Sequence, residues 1–308
     1  MESCRPAAQY GLLQYVAYMA YLPLYFAGPT CTYNAFVSHI DNGASGSSAG
    51  ETTAAATSLS TGELAKYAVR WVIALVLLET LQHFIPAVAL QHEAEWLKLG
   101  SDSPLLIFTV CYFTLVGIWL KFVVIWRFFR LWALCDGVEP PENMKRCFFN
   151  NYSFQGFWRA WHHSFNCWLL RYLYFPVGGG KGTVLLPAGL GKRTTFLPQL
   201  VNIFAVFSFV VFAHAPWVMR DLKILAWGWA CAAFFAPEIV GQALVRNPST
   251  AARLRSMGVH GHVCALAGGV NIGIMMIINL VSSLDNVSRL SRGTVLVTVV
   301  WQQPSYCM

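Results

Sequence analysis

Six stretches of this chain are long and apolar enough to be read as membrane crossings, and they limit the fold more than any other feature. A spanning helix needs roughly 20 mostly apolar residues. Residues 10–28, 68–90, 104–134, 196–215, 222–240 and 262–283 meet that requirement, and 294–301 forms a weaker apolar tail. With 56% hydrophobic residues, only 11% charged and a mean hydropathy of +0.50, the 308-residue chain carries more apolar surface than a soluble domain of its size buries. The bilayer is therefore the expected solvent. The expected fold is all-α: a polytopic transmembrane helical bundle forming one membrane-embedded domain over 1–308.

Between the first two runs lies SHIDNGASGSSAGETTAAATSLSTG, residues 38–62. Rich in Ser, Thr, Ala and Gly, it holds too little apolar area to offset its ordering entropy and is expected to be a flexible loop insertion. No internal repeat stands out, which removes support for the inverted-repeat plan of many transporters.

The net charge of +7 raises the question of nucleic acid, but the cations cluster at the ends of apolar runs, where positive-inside topology and anionic headgroups account for them. No nucleic-acid partner is expected. Nine cysteines follow no metal or disulfide spacing, and His260 and His262 lack further ligands, so neither a metal nor a bound cofactor is expected. Lys66, Arg70, Arg127, Arg130, Lys192, Arg193, Arg246, Arg253 and Arg255 are consistently placed in the cytosol, against Arg220, Lys223, Arg289 and Arg292. Residues 136–193 then face the cytosol and 214–221 the opposite side. The N-terminus falls outside the cytosol without a signal peptide, as expected if upstream spans are missing.

One segment interrupts the apolar pattern: FWRAWHHSFNCWLLRYLYFPVGGG, residues 157–180. Arg159, His162, His163, Asn166 and Arg171 break every helical face between Phe157 and Leu173, which excludes a helix freely exposed to lipid. Such polar density is tolerated at membrane depth only inside protein or beside a wet cavity. A re-entrant or interfacial helix pair ending at Pro176 and Gly178–Gly180 is the expected structure. His163 reads as a structural residue meeting headgroups; His162 is the candidate for a site. Elsewhere, Glu79 and His83 lie one turn apart in the second run and are expected to pair. The sequon at Asn151 falls in a cytosolic loop and is expected to carry no glycan.

WRAWHHSFNCWLLRYLYFPVGG resembles the signature of the membrane-bound O-acyltransferases. So do the upstream NMKRCFFNNYSFQGFW and, at 15–36, YVAYMAYLPLYFAGPTCTYNAF. Within that family the chain is similar to the glycerol uptake protein branch, related to hedgehog acyltransferase, with matching motifs in order from about Tyr15 to about Leu280. The family's second functional position is a histidine near the far end of a hydrophobic helix, and FSFVVFAHAPW (207–217) offers His214 there. LKILAWGW (222–229) and the pair Pro237, Glu238 follow as in the branch. Ala213, Ala215 and Pro216 depart from the usual flanks, and a shifted alignment would put Val218 at that position and make the chain inactive.

The chemistry of the residues supports His214 separately. An ionisable group at membrane depth usually marks a pathway or site. Histidine titrates near neutrality, and its help as a general base to an attacking hydroxyl or amine is worth on the order of 100- to 10,000-fold in rate.

The resemblance implies a fatty acyl group moved from acyl-CoA, a co-substrate rather than a bound cofactor, to a lipid or lipid-anchor acceptor in the endoplasmic reticulum membrane. The branch implies lyso-phosphatidylinositol of glycosylphosphatidylinositol anchors; the hedgehog relatives imply a protein acceptor. His214 is expected as base, and His162 as the group that orients the thioester or stabilises its oxyanion, with Asn166 or Arg159 beside it. Arg159 and Arg171 belong to a basic surface, with Lys145, Arg146, Lys181, Lys192 and Arg193, suited to the phosphates of CoA. A passage between His162 and His214 would let donor and acceptor enter from different sides. The alternatives are a glycerol transport-related protein and an inactive family member acting as a scaffold.

Overall fold

The computed structural model describes residues 10–45, 59–85, 104–179, 185, 196–214, 222–246, 248–258 and 260–290. All regular structure among them is helical, as the apolar runs require. Three helices are both long and apolar enough to cross a membrane. They are α5 (Pro104–Cys135), α8 (Phe196–His214) and α12 (His260–Leu290). α4 (Thr61–Phe84) has 24 residues, about 36 Å at the helical rise, but Lys66, Arg70 and Glu79 dilute its apolar character. It starts earlier than expected, and residues 86–90 of that run lie outside the described residues.

Two expected spans are broken. The run at 10–28 forms α1 (Leu12–Met19) and α2 (Leu22–Phe26), neither long enough to cross a bilayer. The run at 222–240 forms α9 (Leu222–Ala233) and α10 (Phe235–Arg246), followed by α11 (Pro248–Ser256). The cause is the same in both. A proline ring clashes with the carbonyl four residues back. Pro23 therefore ends α1 at Met19, and Pro237 ends α9 at Ala233.

The expected loop at 38–62 is also shorter than its composition suggests. α3 (Tyr33–Ser45) continues through its first eight residues, and α4 already includes Thr61 and Gly62. Phe36 and Val37 bury one face of α3 against Cys31, Ala133 and Val138. Once that face has nucleated the helix, each further residue adds a bond at little cost, which carries it to Ser45. Residues 46–58 lie outside the described residues. Glu79 and His83 are both exposed, and the described residues show no ion pair between them. An exposed pair is worth too little to hold two side chains together.

The chain divides into two compact units, residues 1–84 with 116–202, and residues 85–115 with 203–308. In the first, a core of Ala74, Val123, Trp126 and Met144 joins α4 and α5 to the segment after α5. That segment is tied down by polar contacts. Arg130 Nε donates to Pro140 O at 2.8 Å, and Tyr67 Oη donates to Glu142 at 2.9 Å. Glu142 also sits 3.6 Å from Arg127 and 3.8 Å from Arg130. In the second unit, α9 lies close against α8. Trp229 Nε1 donates to Ser208 Oγ at 3.0 Å, and a Cβ on Gly228 would meet Val211 Cγ2 at 2.5 Å.

Candidate active site

The segment that interrupts the apolar pattern folds into two short helices and a wide turn, all within the first unit. α6 (Phe154–Ala160) opens with Ser153 accepting from Gly156 N–H at 2.8 Å, and it buries Phe154, Phe157 and Ala160 on one face. Trp161 is extended and His162 takes the left-handed conformation, φ 45° and ψ 50°. It is the one non-glycine residue at positive φ among the described residues. For an L-residue this conformation costs roughly 1–2 kcal/mol, so the surroundings must impose it.

What imposes it is Asn143. α7 (His163–Leu169) begins with its first amides unsatisfied, as every helix does. The side chain of His162 does not cap it. Instead Asn143 O accepts from His163 N–H at 3.0 Å, and Asn143 Oδ1 accepts from Ser164 N–H at 3.1 Å and from Ser164 Oγ–H at 2.6 Å. Lys145 N–H donates to Ala160 O at 3.3 Å, so residues 143–145 run beside 160–163 like a short strand pair. Thr30 N–H donates to Ser164 Oγ at 2.8 Å and brings in the loop after α2. Asn143 is fully buried, and its Nδ2 has no hydrogen-bond partner among the described residues. The other bonds outweigh that loss.

The His162 imidazole stacks on Trp126, with centroids 4.4 Å apart and planes inclined by 21°, and lies 5.1 Å from the ring of Phe165. Trp126 belongs to the buried core, so the ring rests on a rigid surface. Asn166 is half-buried one turn on, its N–H donating to His162 O at 2.9 Å. Arg159 and Arg171 are exposed, with the Arg171 guanidinium 5.5 Å from the Tyr172 ring. The structure thus places Asn166 one turn after His162, joined to it by a backbone hydrogen bond, and leaves both arginines exposed. His214 is the last residue of α8. Its side chain and residues 215–221 lie outside the described residues, as does the expected passage towards it.

After α7 the helix widens into a π turn, Leu170–Tyr174, in which Phe175 N–H reaches Leu170 O at 3.0 Å. Pro176 then presses on the carbonyl of Tyr172 and ends the helix, and Gly178 and Gly179 turn the chain at φ 120° and 58°. Asn202 Nδ2 holds the turn by donating to Gly179 O at 2.7 Å. The helix pair ending at Pro176, Gly178 and Gly179 is therefore as the sequence predicted, while Gly180 lies outside the described residues. The sequon residue Asn151 is buried and donates from Nδ2 to Cys147 O at 3.0 Å, which leaves no room for a glycan.

Sequence reasoning missed Asn143, Ser164 and Trp126. Asn143 stands at the head of the NMKRC motif, yet it acts on a helix about 20 residues away, where no spacing rule applies.

Three helices able to cross a membrane, with a polar, strained element packed on an apolar helical core, mark a polytopic helical membrane protein. Residues 5–284 match the membrane-bound O-acyltransferase family, and the chain belongs to that family. It is 39% identical over 280 residues to the membrane-bound O-acyltransferase GUP1 of Saccharomyces cerevisiae, covering 91% of this chain and 43% of that protein. It is 33% identical over 273 residues to gup1 of Schizosaccharomyces pombe, covering 88% of this chain and 40% of that protein. A more distant relative is the mouse protein-cysteine N-palmitoyltransferase HHAT, 29% identical over 196 residues, or 59% of this chain and 35% of that protein. The chain spans less than half the length of these relatives.

Proposed function

We propose that this chain transfers a fatty acyl group from acyl-CoA to a hydroxyl of a lipid acceptor, in the endoplasmic reticulum membrane. The acceptor class is lyso-phosphatidylinositol, as in glycosylphosphatidylinositol anchors. The observation that carries the reading is the left-handed His162, locked by Asn143 and stacked on Trp126 inside the segment that the family shares.

In this reading the acceptor oxygen attacks the thioester carbonyl, the new O–C bond forms, and the C–S bond to CoA breaks. His214 takes the hydroxyl proton and returns it to the leaving thiolate. His162, unable to swing because its backbone and ring are both held, presents a fixed donor towards the oxyanion, and Asn166 adds its amide. Arg159 and Arg171 attract the phosphates of the donor. Strain at His162 is useful here because a preorganised group needs no rearrangement when charge develops.

Membranes containing the chain, given labelled long-chain acyl-CoA and lyso-phosphatidylinositol, test this. Acylated lipid should form with wild type and fall on the order of 100-fold or more with His214→Ala and with His162→Ala at equal expression. Product that persists in both variants would remove the roles assigned to them. The name of mouse HHAT points to a protein acceptor. Transfer to an N-terminal cysteine peptide in place of the lipid would move the acceptor to that class.

A further inference from the structure

The outward face of the same element carries a second arrangement, centred on His163 and Cys167, two side chains that the transfer reaction above does not use. Arg159, His163, Cys167 and Arg171 recur every fourth residue; Arg159, Cys167 and Arg171 are exposed and His163 is half-buried. Cys167 Sγ lies 3.5 Å from His163 Nε2 and 4.0 Å from its Nδ1, while Nδ1 lies 2.9 Å from Arg159 O. A carbonyl oxygen only accepts, so the neutral imidazole carries its proton on Nδ1 and Nε2 is its basic nitrogen; Sγ, almost as near to Nδ1 as to Nε2, lies beside the ring, and the exposed Cys167 side chain must turn to meet the Nε2 lone pair. Nucleophile, base and a third group that orients the base are neighbours, the grouping from which side chains are activated for covalent chemistry. Arg171 lies one turn after Cys167, while Arg159 stands near the end of α6, across the break at Trp161 and His162, and both arginines are exposed.

We propose that Cys167 is an acyl-accepting thiol, modified by a long-chain acyl thioester bearing anionic groups, with His163 as its base. The donor class rests on the acyltransferase reading. As Sγ attacks the thioester carbonyl, Nε2 takes the thiol proton. The Cys167 S–C bond forms, the bond from carbon to the donor sulfur breaks, and the proton passes to the leaving thiolate. One thioester replaces another, with no oxidant or reductant. The product is an S-acyl chain on α7, beside but apart from the face that holds His162. Cys135, exposed at the end of α5 with no histidine within one helical turn of it in the sequence, serves as the internal control.

The whole chain in detergent or nanodiscs is incubated with alkyne-tagged palmitoyl-CoA, and label on protein and on lyso-phosphatidylinositol is measured in the same reactions. Wild type and Cys135→Ala should gain a protein label that neutral hydroxylamine removes. Cys167→Ala should lack it, and His163→Gln should gain it on the order of 100-fold more slowly. Full labelling of Cys167→Ala, equal rates with His163→Gln, or no protein label at all would each overturn the assignment. Protein label without lipid product leaves it standing and removes the lipid acceptor; lipid product on unlabelled protein does the reverse. A second measurement needs no variant: iodoacetamide should alkylate Cys167 at least about tenfold faster than Cys135 in the same molecules, and equal rates would count against the dyad.

Discussion

α4 and α7 begin in opposite ways. At α4 the cap is local: Ser60 Oγ accepts from Glu63 N–H at 3.3 Å, and Glu63 Oε2 accepts from Ser60 N–H and Oγ–H at 2.9 Å each, a capping box closed within four residues. At α7 the residue in the capping position is His162, and the cap comes from Asn143. A local cap serves only its own helix. A distant cap ties the start of one helix to another part of the core, so that the conformation of His162 and the burial of Asn143 stand or fall together.

The largest effect should come from cutting that tie. Asn143→Ala removes the acceptor for Ser164 N–H and Oγ–H and leaves both buried, which should cost about 2–4 kcal/mol. Thermal unfolding in detergent measures it, and in a double-mutant cycle the losses from Asn143→Ala and Ser164→Ala should sum to clearly more than the loss of the double variant. If the two losses simply add, the cap is not what holds α7. Next comes Ser60→Ala, expected to cost about 1 kcal/mol. Amide exchange should show that loss confined to the first turn of α4, and spread beyond it would erase the distinction between local and distant caps.

Smaller still is His162→Gly. Relief of the left-handed strain, roughly 1–2 kcal/mol, is set against the lost ring stack, about 0.5–1.5 kcal/mol. Stability should stay within about 1 kcal/mol of wild type while acyl transfer is lost, so a large destabilisation would mean that the ring, not Asn143, builds the turn. The smallest effect is a pH response. The Ser60 amide and hydroxyl hold the Glu63 carboxyl below its ordinary value of 4.5. The cap is complete above that value and is lost as the pH falls through the lower folded value. Exchange in the first turn of α4 should quicken there, while the start of α7, capped by a neutral amide, should not respond.

The same contrast explains what was legible in the sequence. Apolar runs announced α5, α8 and α12, because length and composition alone decide whether a helix can cross lipid. Pro23 and Pro237 sit in plain view, but a run judged by its average apolarity passes over a single ring that stops a helix four residues earlier. Ser60 and Glu63 form a readable pattern, yet they stand at the end of a stretch whose Ser and Thr content reads as loop throughout. At the site, the polar residues on every face and the closing Pro176 and glycines announced a helix pair. The break at His162 was not legible, because nothing local causes it. Nor did the sequence divide the element into its two faces: the break and the Asn143 clamp set His162 against Trp126 and leave His163 beside Cys167.

The π turn at Leu170–Tyr174 has a consequence for how this chain tolerates change. A π turn is an α-helical turn widened by one residue. Removing any one residue from it would restore ordinary helix and rotate everything after it by about 100°. Gly179 O would swing away from Asn202, and the closing turn would no longer meet the start of α8. The count of residues cannot change there: whatever its composition, the segment is fixed in length.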